Sequence, residues 1–270
     1  MKVKKIINDG KKIKREIFEK FISIKEGHPG SILSIFDVVN CLYLGNFIKC
    51  NKNSNSNDYF IMSKGHAGSV QYPYLIRKGI IKKKEWSKWG KNKSSSLRIF
   101  PTYKINGVDV TSGSLGHGLG IAAGIAISDR NNNIKKNIWV IISEGELYEG
   151  SIWEALLFIN HHQLHQIKII IDRNDLIILG NTEDCLKLNS IKKKIDGFGY
   201  NSKIIDGHNY NQIYKGLKYL IKADNKCKVI IANTTKGKSV SFMENKTNWH
   251  YWQNLTKMNE EKLLKELKSD

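Results

Sequence analysis

The sequence predicts an α/β fold with a doubly wound, mostly parallel sheet and helices on both faces, and two observations carry that reading. Short strand-like runs recur at Tyr59–Met62, 139–142, 167–172, 203–205 and Lys228–Asn233, several of them continuously apolar, as strands covered on both faces require. Between them lie segments with apolar residues at helical spacing, so strand and helix alternate. At 270 residues the chain is long enough for one large core, and a single domain over 1–270 is expected rather than two small ones.

Taken in order, residues 6–25 repeat Ile13, Ile17, Phe18 and Phe21 on one face and predict an amphipathic opening helix. The turn Gly27-His28-Pro29-Gly30 ends it, and a second helix over 31–43 leaves His28 at its amino-terminal approach. The strand Tyr59–Met62 runs into Ser63-Lys64-Gly65-His66, a turn that offers backbone N–H groups to an anion; there Lys64 adds charge or is simply solvated. A helix over 68–78 follows, kinked or broken at Pro73. Residues 82–96, rich in Lys and Ser with Trp86 and Trp89, predict an exposed helix and a loop. Gly113-Ser114-Leu115-Gly116 precedes a small-residue helix over 118–128, where glycine permits close backbone approach to a flat ligand. Helices are expected over 189–198, Tyr210–Ile221 and 259–268, and a polar, lysine-bearing loop over 234–240.

The most informative stretch is 139–180. Its first strand ends in Ser143-Glu144-Gly145-Glu146, which sets a carboxylate at the carboxyl end of a strand, where open α/β sheets bind ligands. The second ends in Arg173-Asn174-Asp175-Leu176, so an amide oxygen arrives thirty positions after Glu144. Two adjacent strand ends of this kind suit one hard cation shared with phosphate oxygens, the arrangement Mg²⁺ prefers.

Glu144-Gly145 and Asn174 at that separation resemble the thiamine diphosphate signature, a Gly-Asp-Gly turn followed some thirty residues later by Asn. The strings GHPG at 27–30, SKGHA at 63–67, SGSLGHG at 112–118, ELYEGSIWEA at 146–155, DRNDL at 172–176 and SFMENKTNWH at 241–250 resemble transketolases in order and spacing. The resemblance runs from about residue 12 to 250 and covers the amino-terminal, diphosphate-binding half of a full-length transketolase.

It implies a thiamine diphosphate enzyme that moves a two-carbon ketol unit from a ketose phosphate to an aldose phosphate. Glu144, Asn174 and the Leu176 carbonyl would hold Mg²⁺; Gly145 and His66 would meet the diphosphate; Gly113, Ser114 and Leu115 would contact the rings. His28 and His250 would handle substrate oxygens, and His250 would also reach the diphosphate. Glu149 and Glu154 match glutamates through which paired sites face each other across a dimer, although simple hydrogen bonding at a helix start explains them equally well. The resemblance further implies a separate pyrimidine-binding chain, two copies of each forming a heterotetramer. His117 is expected to be structural.

Two departures stand out. Ser143-Glu144-Gly145 replaces Gly-Asp-Gly, which lengthens the metal carboxylate by one methylene, and Phe100-Pro101 replaces His-Pro, where that histidine meets the donor's terminal hydroxyl. Altered donor preference, another thiamine diphosphate reaction, or a catalytically silent role in assembly therefore stay open.

Other classes find less support. A net charge of +19 fits a nucleic-acid binder, but the lysines are spread through every segment beside an excess of Ile and Asn, so no nucleic-acid partner is expected. The four cysteines are scattered, as reduced thiols in a cytoplasmic protein would be. The basic residues 1–14 lack a signal peptide's apolar stretch, and no run is long enough for a membrane span. His161 and His165 stand at i, i+4 on a helix, but no carboxylate or Cys accompanies them at zinc-ligand spacing, and His208 is expected to be a local turn residue.

Overall fold

The computed structural model describes residues 2–52, 54–55, 57–91 and 95–269. Residues 92–94 of the 82–96 segment lie outside the described residues. In chain order the elements are α1 (Lys2–Ile24), α2 (Pro29–Leu44), β1 (Tyr59–Met62), a 3-10 turn (Gly65–Gln71), α3 (Tyr72–Arg77), α4 (Lys83–Lys88), α5 (Gly118–Asn131) and β2 (Ile138–Ser143). A second 3-10 turn (Glu144–Tyr148), α6 (Gly150–His161), β3 (Ile167–Arg173), α7 (Thr182–Cys185), α8 (Ile191–Gly197) and β4 (Asn201–Asp206) follow. The chain continues through α9 (Tyr210–Ile221), β5 (Lys228–Asn233), a third 3-10 turn (Thr247–His250) and α10 (Lys257–Ser269).

Among the described residues the five strands form one sheet in the order β1-β2-β3-β5-β4, and every pairing is parallel. The pleat divides each central strand between two cores. Trp139 and Ile141 of β2, Ile170 of β3 and Ile230 of β5 face the core closed by α1, α2 and α9. Val140, Ile142, Ile169, Ile171, Val229 and Ile231 face the core closed by α5, α6 and α8. Alternate residues are therefore all apolar, which is why these strands read as continuous runs. β4 is one of the two edge strands, and its exposed-buried pattern gives it the weakest signal in the sequence.

Three sequence readings change in detail. The helix expected over 68–78 begins as a 3-10 turn, and Pro73 sits in the first turn of α3, where its missing N–H costs no helical hydrogen bond. Trp89 is not an exposed residue of a surface helix: it is 4% exposed, and its ring packs edge-on against Phe21 and Tyr72. His208 is not a local turn residue, because its ring joins Asp37 to Thr235. Among the described residues no helix is long and apolar enough to cross a membrane.

Register decides where the strands end together. Ser143 of β2 stands opposite Asp172 of β3, and Asp172 opposite Ala232 of β5. Glu144, Asn174 and Thr234 consequently leave the sheet along one edge, beside the Ser63–His66 turn at the end of β1.

Close approach at that edge depends on Gly118, where an added Cβ would overlap the Ser63 hydroxyl, whereas a Cβ on Gly120 two residues later meets nothing within 4 Å. Gly118→Ala should destabilise the isolated chain by about 1–3 kcal/mol. Gly120→Ala should be neutral or stabilising by up to about 1 kcal/mol, the helix propensity difference. Urea denaturation of both variants checks the contrast; equal effects would contradict this packing.

Candidate functional site

The turn after β2 is shaped by Glu146. Its buried carboxylate accepts the Ser143 N–H at 2.8 Å and the Ser143 hydroxyl at 3.2 Å, closing a capping box. It also accepts the Gly116 N–H at 3.1 Å and the Ser63 hydroxyl, so one side chain joins the end of β1, the glycine loop and the turn. Sequence reasoning misses Glu146, although the spacing Ser143-x-x-Glu146 is the capping-box signal.

With the turn fixed, Glu144 points toward the end of β3. Its Oε1 accepts the N–H groups of Asn174 at 3.0 Å and Leu176 at 3.1 Å, while Oε2 is buried with no hydrogen-bond partner. The nearest cation is the Arg173 guanidinium, with Nε 4.0 Å from Oε2. Burial, reinforced by the Asp175 and Asp172 charges, pushes this carboxyl up to about 8. Asn174 is held from both ends: Oδ1 accepts the Leu176 N–H at 3.2 Å and Nδ2 donates to Ser34 Oγ at 2.9 Å. The bridge between Leu176 and Asn181 is closed through the carbonyls of Asp175 and Gly180, not that of Leu176. An orphaned carboxylate oxygen, an amide oxygen and an uncommitted carbonyl form a hard-donor set, so these residues fit a divalent cation of the Mg²⁺ type.

Next to this acidic end lies a cationic one. Lys64, 1% exposed, is ion-paired to Asp172, which is fully buried, and its ammonium also reaches the Ser31 carbonyl at 3.3 Å. Of the two readings of Lys64, added charge or a solvated turn residue, its burial rules out the second. Lys236, on the loop after β5, is 2% exposed and lies 3.3 Å from His250 Nδ1. Burial and then the Lys64 charge lower its ammonium to about 8.

Three sequence-predicted histidines converge here. The rings of His28, His66 and His250 lie 5.3–5.4 Å apart, centroid to centroid. Burial and the two lysines hold His28 down to about 4 and His250 to about 3, and His66 is also well below the ordinary range. His28 Nδ1 is buried without a partner. Phe100 and Tyr251 flank His28 at 5.4 and 5.1 Å and are half exposed, so they line the approach to the trio.

The glycine loop meets the same cluster from the other side. A Cβ on Gly65 would come 2.5 Å from the Gly113 nitrogen, and one on Gly113, at φ +146°, would touch Phe100 at 3.4 Å. Ser114 and Leu115 are exposed beside it, and Gly145 follows Glu144 within the second 3-10 turn. Glu149 caps α6 through its backbone only, Glu154 is exposed in the middle of that helix, and His117 is exposed with no side-chain cap bond. Glu149 therefore stands at the helix start without a side-chain cap bond, Glu154 lies a turn further along, and no packing role for His117 is visible.

Residues 4–265 match the family model of the transketolase thiamine diphosphate-binding domain. The chain belongs to the transketolase family. It is similar to one of the apulose-4-phosphate transketolase subunits of Phocaeicola vulgatus, with 32% identity over 93% of this chain and 90% of that one. The protein of the same name from Actinobacillus succinogenes is 36% identical over 83% of this chain and 82% of its own length. The 6-deoxy-6-sulfo-D-fructose transketolase subunit SqwG of Clostridium sp. strain MSTE9 is 31% identical over 88% and 87%. Among solved structures, transketolase from Campylobacter jejuni superposes with a TM-score of 0.84 at 22% identity, covering 98% of this chain and 47% of that chain. The Leishmania mexicana enzyme gives 0.82 at 21%, covering 100% and 45%. The chain thus has the transketolase fold and spans under half the length of those solved transketolases.

Because the Glu144 carboxyl is raised above its ordinary value, its contribution to stability is present below about pH 4.5 and lost as pH rises through about 8. In metal-free protein, Glu144→Gln should remove a loss on the order of a few kcal/mol between pH 5 and pH 9. Denaturant unfolding with chelator at several pH values checks this; parallel pH profiles for wild type and variant would refute it.

Proposed function

We propose that this chain is the diphosphate-binding subunit of a two-chain transketolase, transferring a two-carbon ketol unit from a ketose phosphate to an aldose phosphate with thiamine diphosphate and Mg²⁺. The observation that carries the reading is the buried, unpaired Oε2 of Glu144 beside Asn174, within a domain of this family. In this reading Glu144, Asn174 and the Leu176 carbonyl hold the cation, and Gly145, His66 and His250 meet the diphosphate together with Lys64 and Lys236. Gly113, Ser114 and Leu115 lie against the rings. Bound there, thiamine diphosphate supplies a nucleophilic carbon and an electron sink for cleaving the bond beside a ketose carbonyl.

The chain's own contribution follows from charge. The charges of Lys64 and Lys236 lower the proton affinity of the three buried histidines, and that of Lys64 also lowers Lys236, so the cluster is short of negative charge until an anion arrives. A diphosphate would relieve that repulsion and raise the histidines toward neutrality. His28 and His250 then pass from neutral imidazoles, which donate one N–H bond to a substrate oxygen, to groups able to give up a proton near pH 7.

A partner is supported by the outer face of the domain. Leu115, Ile121, Leu157 and Phe158 are 37%, 39%, 58% and 43% exposed on the glycine loop, α5 and α6, the elements that also carry Glu149 and Glu154. We take this face as the contact with a pyrimidine-binding chain and a second copy, in a two-fold heterotetramer burying above about 2,000 Å² in total.

Three measurements test the proposal. Purified chain with thiamine diphosphate and Mg²⁺ should turn over no sugar phosphate until the partner chain is added. Donors should include apulose-4-phosphate and 6-deoxy-6-sulfo-D-fructose, for which relatives are named, besides common ketose phosphates and pyruvate. Ketol transfer by the isolated chain would overturn the split-enzyme reading, and cofactor-loaded complex without turnover would favour an assembly role. Glu144→Ala should abolish Mg²⁺-dependent cofactor binding while Glu144→Asp retains it; equal affinity for wild type and Glu144→Ala would remove the metal assignment. Phe100→His should raise donor kcat/KM by about 2- to 13-fold, the equivalent of one hydrogen bond of about 0.5–1.5 kcal/mol, and a neutral or harmful effect would mean that the donor is held otherwise.

A further inference from the structure

His208 stands in the turn after β4, away from the three clustered histidines, yet it bridges two distant segments. Its Nδ1 is 2.8 Å from Asp37 Oδ2 on α2, and its Nε2 accepts the Thr235 N–H at 2.8 Å. A backbone N–H only donates, so Nε2 carries no proton and the ring's single hydrogen is on Nδ1, given to Asp37. The ring is therefore held as one tautomer between an acceptor and a donor.

Asp37, 6% exposed, is itself tied down: the Tyr210 hydroxyl donates to it at 3.0 Å, and the Lys14 ammonium on α1 lies 3.6 Å away. Thr235 belongs to the loop that carries Lys236. The neighbouring straps on that loop are Thr234 N–H to the Arg173 carbonyl at 2.8 Å and Gly237 N–H to the Gly30 carbonyl at 3.0 Å. The His208 bond fastens the segment between them, next to the lysine that lies beside His250.

We propose that His208 is a positioning residue for the cofactor site: by accepting the Thr235 N–H it sets the turn that presents Lys236 and, through it, His250. The proposal rests on the reading that this end of the site receives the diphosphate. The geometry requires a bare Nε2, because a hydrogen there would face the Thr235 N–H donor to donor and release the turn. In the same turn the Asp206 carboxylate accepts the His208 N–H at 2.9 Å, which holds the backbone from which the ring reaches Asp37 and Thr235.

Two amide substitutions separate the two hydrogen bonds. Asn at this position reaches only where Nδ1 was, so His208→Asn can still donate to Asp37 but leaves Thr235 without its acceptor. Gln reaches where Nε2 was, so His208→Gln restores the acceptor for the Thr235 N–H. The test is Thr235 amide exchange in this chain, together with thiamine diphosphate affinity in the presence of Mg²⁺. His208→Asn should expose the Thr235 amide and weaken cofactor binding about tenfold, as expected for a lost bond that leaves a donor unpaired. His208→Gln should keep both protection and affinity. Should Gln behave like Asn, or should Asn keep full protection and affinity, the positioning role is wrong. Absence of cofactor binding by wild type would count against the cofactor reading instead, and the exchange of the Thr235 amide would still decide whether His208 sets the turn.

Discussion

The ion pair between Lys64 and Asp172 is the constraint on which the site depends. Both groups are withdrawn from water, at 1% and 0% side-chain exposure, so each would cost several kcal/mol without the other. Asp172 is also the acceptor for Ser34 of α2 and for Thr234 at the end of β5. Through one carboxylate, the end of β1, the start of the second helix and the ends of β3 and β5 are keyed together. The key extends outward as well, because Ser34 Oγ is the group to which Asn174 donates. A shift of Asp172 would therefore reach an expected cation ligand through a single intervening hydroxyl, and a buried pair of this kind fixes geometry more than it adds stability.

Around that fixed point the charges are not balanced locally. Glu144 has one oxygen bonded and one buried alone, while Lys236 and three imidazoles crowd the opposite end. A protein optimised only for folding would pair or solvate such groups, and local conflict of this sort concentrates where a ligand completes the structure. The two imbalances have opposite sign and sit at one edge. A metal-bound anion satisfies both, with its cation against Glu144 and its oxygens toward the lysines and histidines.

Much of this is legible in the sequence because the strands are apolar on both faces and the turns after them are short. Tyr59–Met62, Tyr210–Ile221 and Lys228–Asn233 have the same limits in the sequence reading and in the structure, and His28, His66 and His250 do meet. What escapes are buried polar residues whose partners are remote in sequence. Lys64 and Asp172 are separated by 108 positions and His208 and Asp37 by 171, and neither local charge nor periodicity reports a contact of that range. Lys64 misleads for the same reason: a lysine in a turn is normally solvated, and only the register that brings Asp172 beside it overrides that expectation. Trp89 escapes because the lysines around it mask a single buried ring.

The two departures at the turn after β2 belong together in physical terms. Ser143 gives its hydroxyl and its N–H to Glu146, so a side chain where the family signature has glycine stiffens the turn by closing a capping box. The longer acid at 144 then begins from a fixed backbone, and its additional methylene carries Oε1 onto the N–H groups of Asn174 and Leu176. Those two bonds hold the carboxylate plane and leave Oε2 as the free oxygen. A glutamate tethered in this way loses the conformational freedom that its length would otherwise bring, which is what a metal with strict octahedral demands requires of its ligand. Shortening the acid keeps a carboxylate at the strand end but draws it back from the two N–H groups, so the cap at 143 and the length of the acid at 144 act as one unit.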